Sequence, residues 1–451
     1  MVFAPLTLET LPLVRQLLKE DPRECSEYMP SYTWPWRSKV YTMEFGQSHG
    51  CGIYRFHFLG RTYFSIPFGA GDKSAALNEL RAHAQADGLQ LRLAPILAHE
   101  AARLGPGWLV KPLPYSFDYI YRQRDLAELK GSKYQPKRNH IHRFEDLGPW
   151  RYGPVNVADC RTVLREWLKD HPQDEELEIE LAALDRIFAL PDLMGLSGGI
   201  LYSNDRPVAF ALGEEMSPRT FLASYEKALP FVQGAFPMIN REFVRHQGAG
   251  YKFVNRAAAD GHPNLVKAKE SYHPVARLHK YAAIETRARF ATPQDADLIV
   301  RLWQTSFGDN EATIRFFLEQ KLAPDNCLLL DDASMAFFLP LPDGNRYLYA
   351  LCTLPEARGR GLASEIVRTA INLYFEPLAV CPAEASLVPF YEKFGFRLSA
   401  PAIEREVALD DFARRFYTLA ANREPGPAIH TSLPTLTYPP LPGYTIPNPL
   451  A

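Results

Sequence analysis

The stretch LPEARGRGLASEIV, Leu354–Val367, sets two arginines and two glycines between a proline and an apolar-striped helix. The run RYLYALCTL feeds it as a strand, and LASEIVRTAINLYF follows it as a helix. In that helix Leu362, Ile366 and Ala370 fall at i, i+4 and i+8, with Ala363, Val367 and Ile371 beside them, which predicts a wide buried face. The free N–H groups of a helix start carry a partial positive charge, and Gly359 and Gly361 let a ligand come close to the backbone. Arg358 and Arg360 can add charge-assisted hydrogen bonds. From local chemistry the loop is a pyrophosphate cradle, against the plainer alternative of a glycine turn with solvated arginines.

Rival phosphate motifs fit less well. Gly359-x-Gly361-x-x-Ser364 lacks the third glycine of a dinucleotide fingerprint. GAGDKS, Gly69–Ser74, has Asp72 where a P-loop needs glycine before its lysine. GLSGG from Gly195 precedes a strand and not a strand-to-helix elbow, so Ser197 is not expected to be a nucleophile.

Working outward, three passages repeat one order of elements: helix, strand hairpin, further strand, helix, final strand. The first runs from TLPLVRQLLKED to LQLRLAPI, the second from ADCRTVLREWLKDH to YKFVN, and the third begins at TRARFAT. Asn204-Asp205 and Pro342-Asp343-Gly344 stand as the hairpin turns of the second and third. The predicted class is α/β (α+β), with one helix-flanked sheet per unit. After Glu406 comes the helix LDDFARRFYTLAAN, and then Arg423–Ala451, whose eight prolines predict a linker or a surface-draped segment.

Composition bounds the function. The 451 residues suffice for roughly three domains, and the 47% hydrophobic and 23% charged content is that of a folded protein. A formal net charge of -2 provides no bulk field for non-specific nucleic-acid binding, so any polyanion contact must be local. Six scattered cysteines without a CxxC pair or metal-ligand spacing predict reduced thiols in a cytoplasmic protein and no metal. Neither a secretion signal nor a membrane span is expected from the hydropathy pattern.

Two further clusters mix charge with turn residues. GSKYQPKRNHIHRF, residues 131–144, offers Lys133, Lys137, Arg138 and Arg143 to phosphates and Asn139 to a ligand, or else is a solvated helix with Ile141 and Phe144 inward. FVNRAAADGHPNLVKAKESYHP from Phe253 offers Asn255, Asp260, Lys267 and Lys269 as a cleft rim, without a spacing that defines a reaction.

ALCTLPEARGRGLASEIV resembles the acetyl-CoA motif of the GNAT acetyltransferase superfamily, with Arg358, Gly361 and Ala363 at its loop positions. PLAVCP and SLVPFYEKFGF are similar to that family's later elements, and the likeness covers residues 286–403. It implies acetyl-CoA as donor, held by Cys352, Leu354, Arg358, Gly359, Arg360, Gly361, Leu362 and Ala363, with the strand splayed around Leu351–Leu354. It also implies Tyr391 as the acid that reprotonates the departing thiolate. DYIYRQRDLAELKGSKYQPKRNHIHRF and NRAAADGHPNLVKAKESYHP resemble motifs of the C-terminal region of phosphatidylglycerol lysyltransferases, a likeness spanning roughly residues 20–285. That likeness implies a tandem GNAT-like module. LPFVQGAF, before the second unit's helix, lacks the arginine-glycine cradle, so ordinary CoA binding is not expected there. No counterpart of the lysyltransferases' membrane half is visible, and a phospholipid acceptor is not expected.

The expected organisation is three GNAT-like units, each a mixed, mostly antiparallel sheet flanked by helices, at 1–130, 131–285 and 286–403, with a helix and Pro-rich tail at 404–451. The third is expected to acetylate a small-molecule or peptide amine, with Lys137, Arg138, Asn139, Asn255, Asp260, Lys267 and Lys269 binding substrate in the module before it. Two alternatives stand beside this: aminoacyl-tRNA-dependent transfer by the tandem module, and a non-catalytic CoA sensor.

Overall fold

The structure, a computed structural model, describes residues 1–439 apart from 40, 59, 171–173, 375, 402–404, 409, 422–427 and 432–433. It divides into two compact units, one of residues 1–103 with 112–282, the other of 104–111 with the chain from 283 onward. Three mixed seven-stranded sheets with flanking helices carry the architecture, as the repeated order of elements predicts.

In the first sheet, Phe3–Pro5, Tyr41–Ser48, Cys51–Phe58, Arg61–Phe64 and Arg92–Leu97 are neighbours in chain order. The second runs Ala276–Leu278, Asp118–Arg122, Phe253–Asn255, Thr220–Ala228, Arg206–Ser217, Ser197–Ser203, Trp150–Pro154. The third runs Arg289–Phe290, Cys327–Leu330, Ser334–Pro340, Arg346–Thr353, Leu378–Val380, Thr435–Tyr438, Arg397–Ala400. Asn204 and Asp205 take φ of 50° and 59°, the paired left-handed conformation of a primed hairpin turn. Ser197 starts a strand and its hydroxyl donates to the Gly213 carbonyl at 3.3 Å, which is no nucleophile elbow.

Each sheet contains a crossover in which a helix joins two parallel strands. Helix Lys73–Ala86 joins Arg61–Phe64 to Arg92–Leu97, and helix Ala235–His246 joins Thr220–Ala228 to Phe253–Asn255. Helix Leu362–Leu373 joins Arg346–Thr353 to Leu378–Val380. Its predicted stripe is in the core: Leu362, Ile366, Val367 and Ala370 are at most 2% exposed.

Two expectations change. The boundary drawn at 130 does not follow the sheets, because Asp118–Arg122 pairs with Phe253–Asn255 and Ala276–Leu278 in the second sheet while Lys280–Glu285 belongs to the first. Tyr121, buried on Asp118–Arg122, donates its hydroxyl to the Lys269 carbonyl at 2.8 Å, a tie no local pattern reveals. The tail after Arg423 is also not simply a linker. Thr435–Tyr438 is an interior strand between Leu378–Val380 and Arg397–Ala400, with Thr435, Leu436 and Thr437 buried. The remainder of that proline-rich stretch lies largely outside the described residues. Helix Asp411–Ala421, ahead of this strand, stacks Phe412 on Phe316 with ring centroids 5.4 Å apart.

Candidate functional site

The three crossover helices differ at their starts, where an anion would bind. Asp72 caps the first, accepting from the N–H groups of Ser74 and Ala75 at 3.0 Å each. The second begins after Gly234, where a Cβ would lie 2.0 Å from the carbonyl oxygen of His140, so the backbone of helix Gln135–Glu145 stands over that end. The third begins after Gly361, which has no capping side chain, and a Cβ on Gly359 or Gly361 would meet nothing within 4 Å. Both glycines are left-handed, at φ 77° and 80°. The first is thus closed by its own cap and the second by a neighbouring helix. The third presents its first-turn amides outward.

Arg358 and Arg360 flank that opening and are exposed. Each is loosely tied: Arg358 Nε donates to the Thr353 carbonyl at 3.4 Å, and Arg360 lies 3.8 Å from Asp331. The strand entering the loop parts from its parallel neighbour, since only Arg346 and Tyr347 pair with Leu378 and Ala379. A bulge marks the parting: Ala350 takes φ of 52°, and the register against Ser334–Pro340 shifts there. The Leu354 N–H donates to the Ala333 carbonyl at 2.9 Å, and the Cys352 carbonyl accepts from Ser334 Oγ at 2.7 Å. These residues turn away from the gap, and strand alternation turns Leu351 and Thr353 toward it. Leu362 and Ala363 contribute amides, because the Leu362 side chain is in the core.

A cavity of about 530 Å³ opens beside this helix, lined by Ser364, Arg368, Ile371, Asn372, Lys393 and Phe394. Tyr391 is buried between Phe390 and Phe396, at centroid distances of 5.1 and 5.8 Å, and burial pushes its hydroxyl up to about 12. Open amides, two exposed arginines and an unpaired strand edge suit a coenzyme with a diphosphate and an amide-bearing arm. Among the described residues no group of three or more His, Cys, Asp or Glu could hold a metal.

A second polar centre lies in the first compact unit. Lys280 Nζ, fully buried, donates to Asp118 Oδ1 at 2.7 Å, to Ser26 Oγ at 3.2 Å and to Glu27. Burial opposes its charge, and Asp118 and Glu27 more than offset this, raising its pKa. Asn255 donates to Asp118 Oδ2 at 2.9 Å. Lys269 is wrapped by the carbonyls of Arg256 at 2.7 Å, Ala257 at 3.2 Å and Ala258, while burial and then Arg256 bring it down to about 8. Asp260 lies at the solvent edge of this centre, where crowding by protein atoms and then the Glu27 carboxylate raise its carboxyl.

The structure therefore brings Asn255, Asp260 and Lys269 to one centre. Lys137 donates to Ser271 Oγ at 2.6 Å and stands over the Tyr272 ring at 4.0 Å, and burial brings it down to about 8. Arg138 folds back onto the carbonyls of Leu129 and Gly131, while Asn139 and Lys267 are exposed. Asp118, Lys280 and Glu27 escape the sequence because nothing in their spacing links them.

Glu214 shows what an unpaired charge costs here. It is buried on Arg206–Ser217, its Oε1 has no hydrogen-bond partner among the described residues, and desolvation pushes its carboxyl up to about 8. With a folded pKa above the unfolded one, stability from this group is full at low pH and is lost as pH rises from about 4.5 through 8. Glu214→Gln should therefore raise the unfolding free energy at pH 8.5 by on the order of 2–4 kcal/mol, seen as a higher melting temperature, and change it little at pH 4.5. Equal melting of the two proteins at pH 8.5 would contradict this.

With this geometry established, the relatives follow. The chain belongs to the family described as phosphatidylglycerol lysyltransferase, C-terminal, which matches residues 22–284. Residues 317–408 match the acetyltransferase (GNAT) domain. A conserved protein of unknown function from Bacteroides thetaiotaomicron VPI-5482 is 30% identical with a TM-score of 0.59, covering 63% of this chain and 99% of its own. L-PGS from Bacillus licheniformis is 16% identical at TM-score 0.46, covering 67% and 98%. A tandem GNAT protein from the clavulanic acid biosynthesis pathway is 11% identical at TM-score 0.36, covering 63% and 98%. No curated protein matches the chain. Both matched families are acyltransferases, and the chain is an enzyme of acyltransferase type. Among the described residues no helix is long and apolar enough to cross a membrane.

Proposed function

We propose that the third sheet transfers an acyl group, in the first instance acetyl, from a CoA thioester to an amine. The open start of helix Leu362–Leu373 beside the parted strands carries this reading, because the equivalent starts in the other two sheets are closed. Arg358, Arg360 and the amides from Gly359 to Ala363 would hold the diphosphate. The free edge at Leu351 and Thr353 would pair with the pantetheine arm and place the thioester carbonyl near a backbone donor, where charge developing on oxygen is stabilised.

The amine nitrogen forms the new C–N bond as the C–S bond breaks. Tyr391 Oη gives its proton to the departing sulfur, and water takes the proton that the nitrogen sheds. A phenol held near 12 stays protonated throughout the physiological range, as an acid must. Tyr391→Phe should lower kcat for acetyl-CoA-dependent thiol release by about 100-fold with the coenzyme KM within about twofold. An unchanged kcat would remove Tyr391 from the chemistry.

Membership of the lysyltransferase family over residues 22–284, with the buried Asp118–Lys280 centre inside it, favours a second reading. In this reading the tandem module takes an aminoacyl group from tRNA. Phosphate-driven tRNA binding should then weaken at least tenfold between 50 and 200 mM salt, taking roughly three or more phosphate contacts. A flat salt dependence would contradict it.

A further inference from the structure

The cavity of about 530 Å³ beside helix Leu362–Leu373 has a lining of one sign. Four of its residues, Ser364, Arg368, Ile371 and Asn372, fall at i, i+4, i+7 and i+8 of that helix and so share one face. Lys393 and Phe394, which follow helix Val388–Glu392, complete the lining. Two of these side chains are cationic and none is a carboxylate. Among the described residues neither Arg368 nor Lys393 is in an ion pair. The Arg368 guanidinium has a ring for a neighbour instead, 5.8 Å from the centroid of Phe394, which itself packs on Phe390 at 5.3 Å.

The position of the cavity matters as much as its charge. At 1.5 Å of rise per residue, Ser364 lies about 5 Å and Arg368 about 10 Å along the axis from Gly361 at the open helix start. Side chains on a helix lean toward its N-terminus, so an arginine at position 368 extends back along the helix toward its first turn. Two exposed cations with no partner of their own attract a dianion more strongly than a neutral group. CoA carries such a group, because its ribose bears the diphosphate on C5′ and a phosphomonoester on C3′, and a phosphomonoester holds close to two negative charges at pH 7. A coenzyme whose diphosphate rests on the first-turn amides sets this second phosphate one sugar ring away. The uncharged pantetheine arm gains nothing from the same lining.

We infer that Arg368 and Lys393 hold the 3′-phosphate of the coenzyme, with Ser364 as a further donor, and that the third sheet thereby selects CoA over 3′-dephospho-CoA. This rests on the acyl-transfer reading for the identity of the ligand and on the cationic cavity for the place of its phosphate. The loop at Arg358 and Arg360 reads the diphosphate, which both coenzymes share. The cavity reads the group that distinguishes them.

Calorimetric titration of the full chain with CoA and with 3′-dephospho-CoA tests the subsite. The wild type should bind CoA about tenfold more tightly, from two solvent-exposed cation–phosphate contacts each worth roughly threefold. Changing Arg368→Ala together with Lys393→Ala should bring the two affinities to within about twofold of each other. The double variant should melt with the wild type, since both side chains are exposed, and the melt reports whether it folds. Arg368→Lys, which keeps the charge, should retain most of the preference. Equal affinities in the wild type, or a preference that survives in the folded double variant, would overturn the assignment and leave acyl transfer standing. A wild-type chain that binds neither coenzyme would overturn acyl transfer and the subsite with it.

Discussion

Replacing Lys280 by methionine is expected to destabilise the first compact unit by about 3–5 kcal/mol, read as a lower denaturant midpoint with the slope unchanged. The substitution preserves volume, so the cost is not a cavity. It leaves Asp118 as a fully buried carboxylate whose neutralising partner has gone, with Ser26 and Asn255 donors that cannot balance the charge. Burying a charge is tolerated when it is paired and becomes severe when one partner is removed, whereas a solvent-exposed pair is worth about 0–1 kcal/mol. The double replacement of Lys280→Met with Asp118→Asn should recover a substantial part of the loss, because it removes the orphaned charge. A single variant as stable as the wild type would mean that the buried pair is not formed.

The second large effect concerns ligand and not stability. Changing Arg358 and Arg360 together to alanine should weaken acetyl-CoA binding by about 100-fold, taking each charge-assisted hydrogen bond at roughly 1.5–3 kcal/mol with partial solvent compensation. The fold should hardly notice. Both side chains are exposed, and their ties to Thr353 and Asp331 at 3.4 and 3.8 Å are weak. A melting curve within about 0.5 kcal/mol of the wild type is expected. Affinity unchanged in calorimetry would reduce the arginines to solvated surface charges, the plainer interpretation of the loop.

The helix after the arginine loop was legible because its apolar stripe and its preceding glycine are local features, and Ile366, Val367 and Ala370 are buried as the periodicity requires. The Asn204-Asp205 hairpin was legible for the same reason. The strand Thr435–Tyr438 was not, since four residues among prolines carry too little pattern to outweigh the composition around them. Its place is decided by two neighbours, Leu378–Val380 and Arg397–Ala400, that leave a gap of one strand width.

The candidate sites divide in the same way. Gly359, Arg360 and Gly361 announce an open helix start within a few residues. The absent cradle at LPFVQGAF was visible too, but the His140 carbonyl that covers Gly234 was not, because that contact joins separate helices. Asp118 and Lys280 are 162 residues apart and meet through sheet pairing. The Cys352 carbonyl and the Leu354 N–H face the Ser334–Pro340 side, so in the proposed pose the pantetheine arm would meet the backbone of Leu351 and Thr353.

A crystal structure with CoA bound bears most directly on the acyl-transfer account. The diphosphate oxygens should lie within about 3 Å of the backbone nitrogens between Gly359 and Ala363, with the pantetheine arm running along Leu351 and Thr353 toward Tyr391. Density for the coenzyme at another surface, with those amides facing only water, would contradict it.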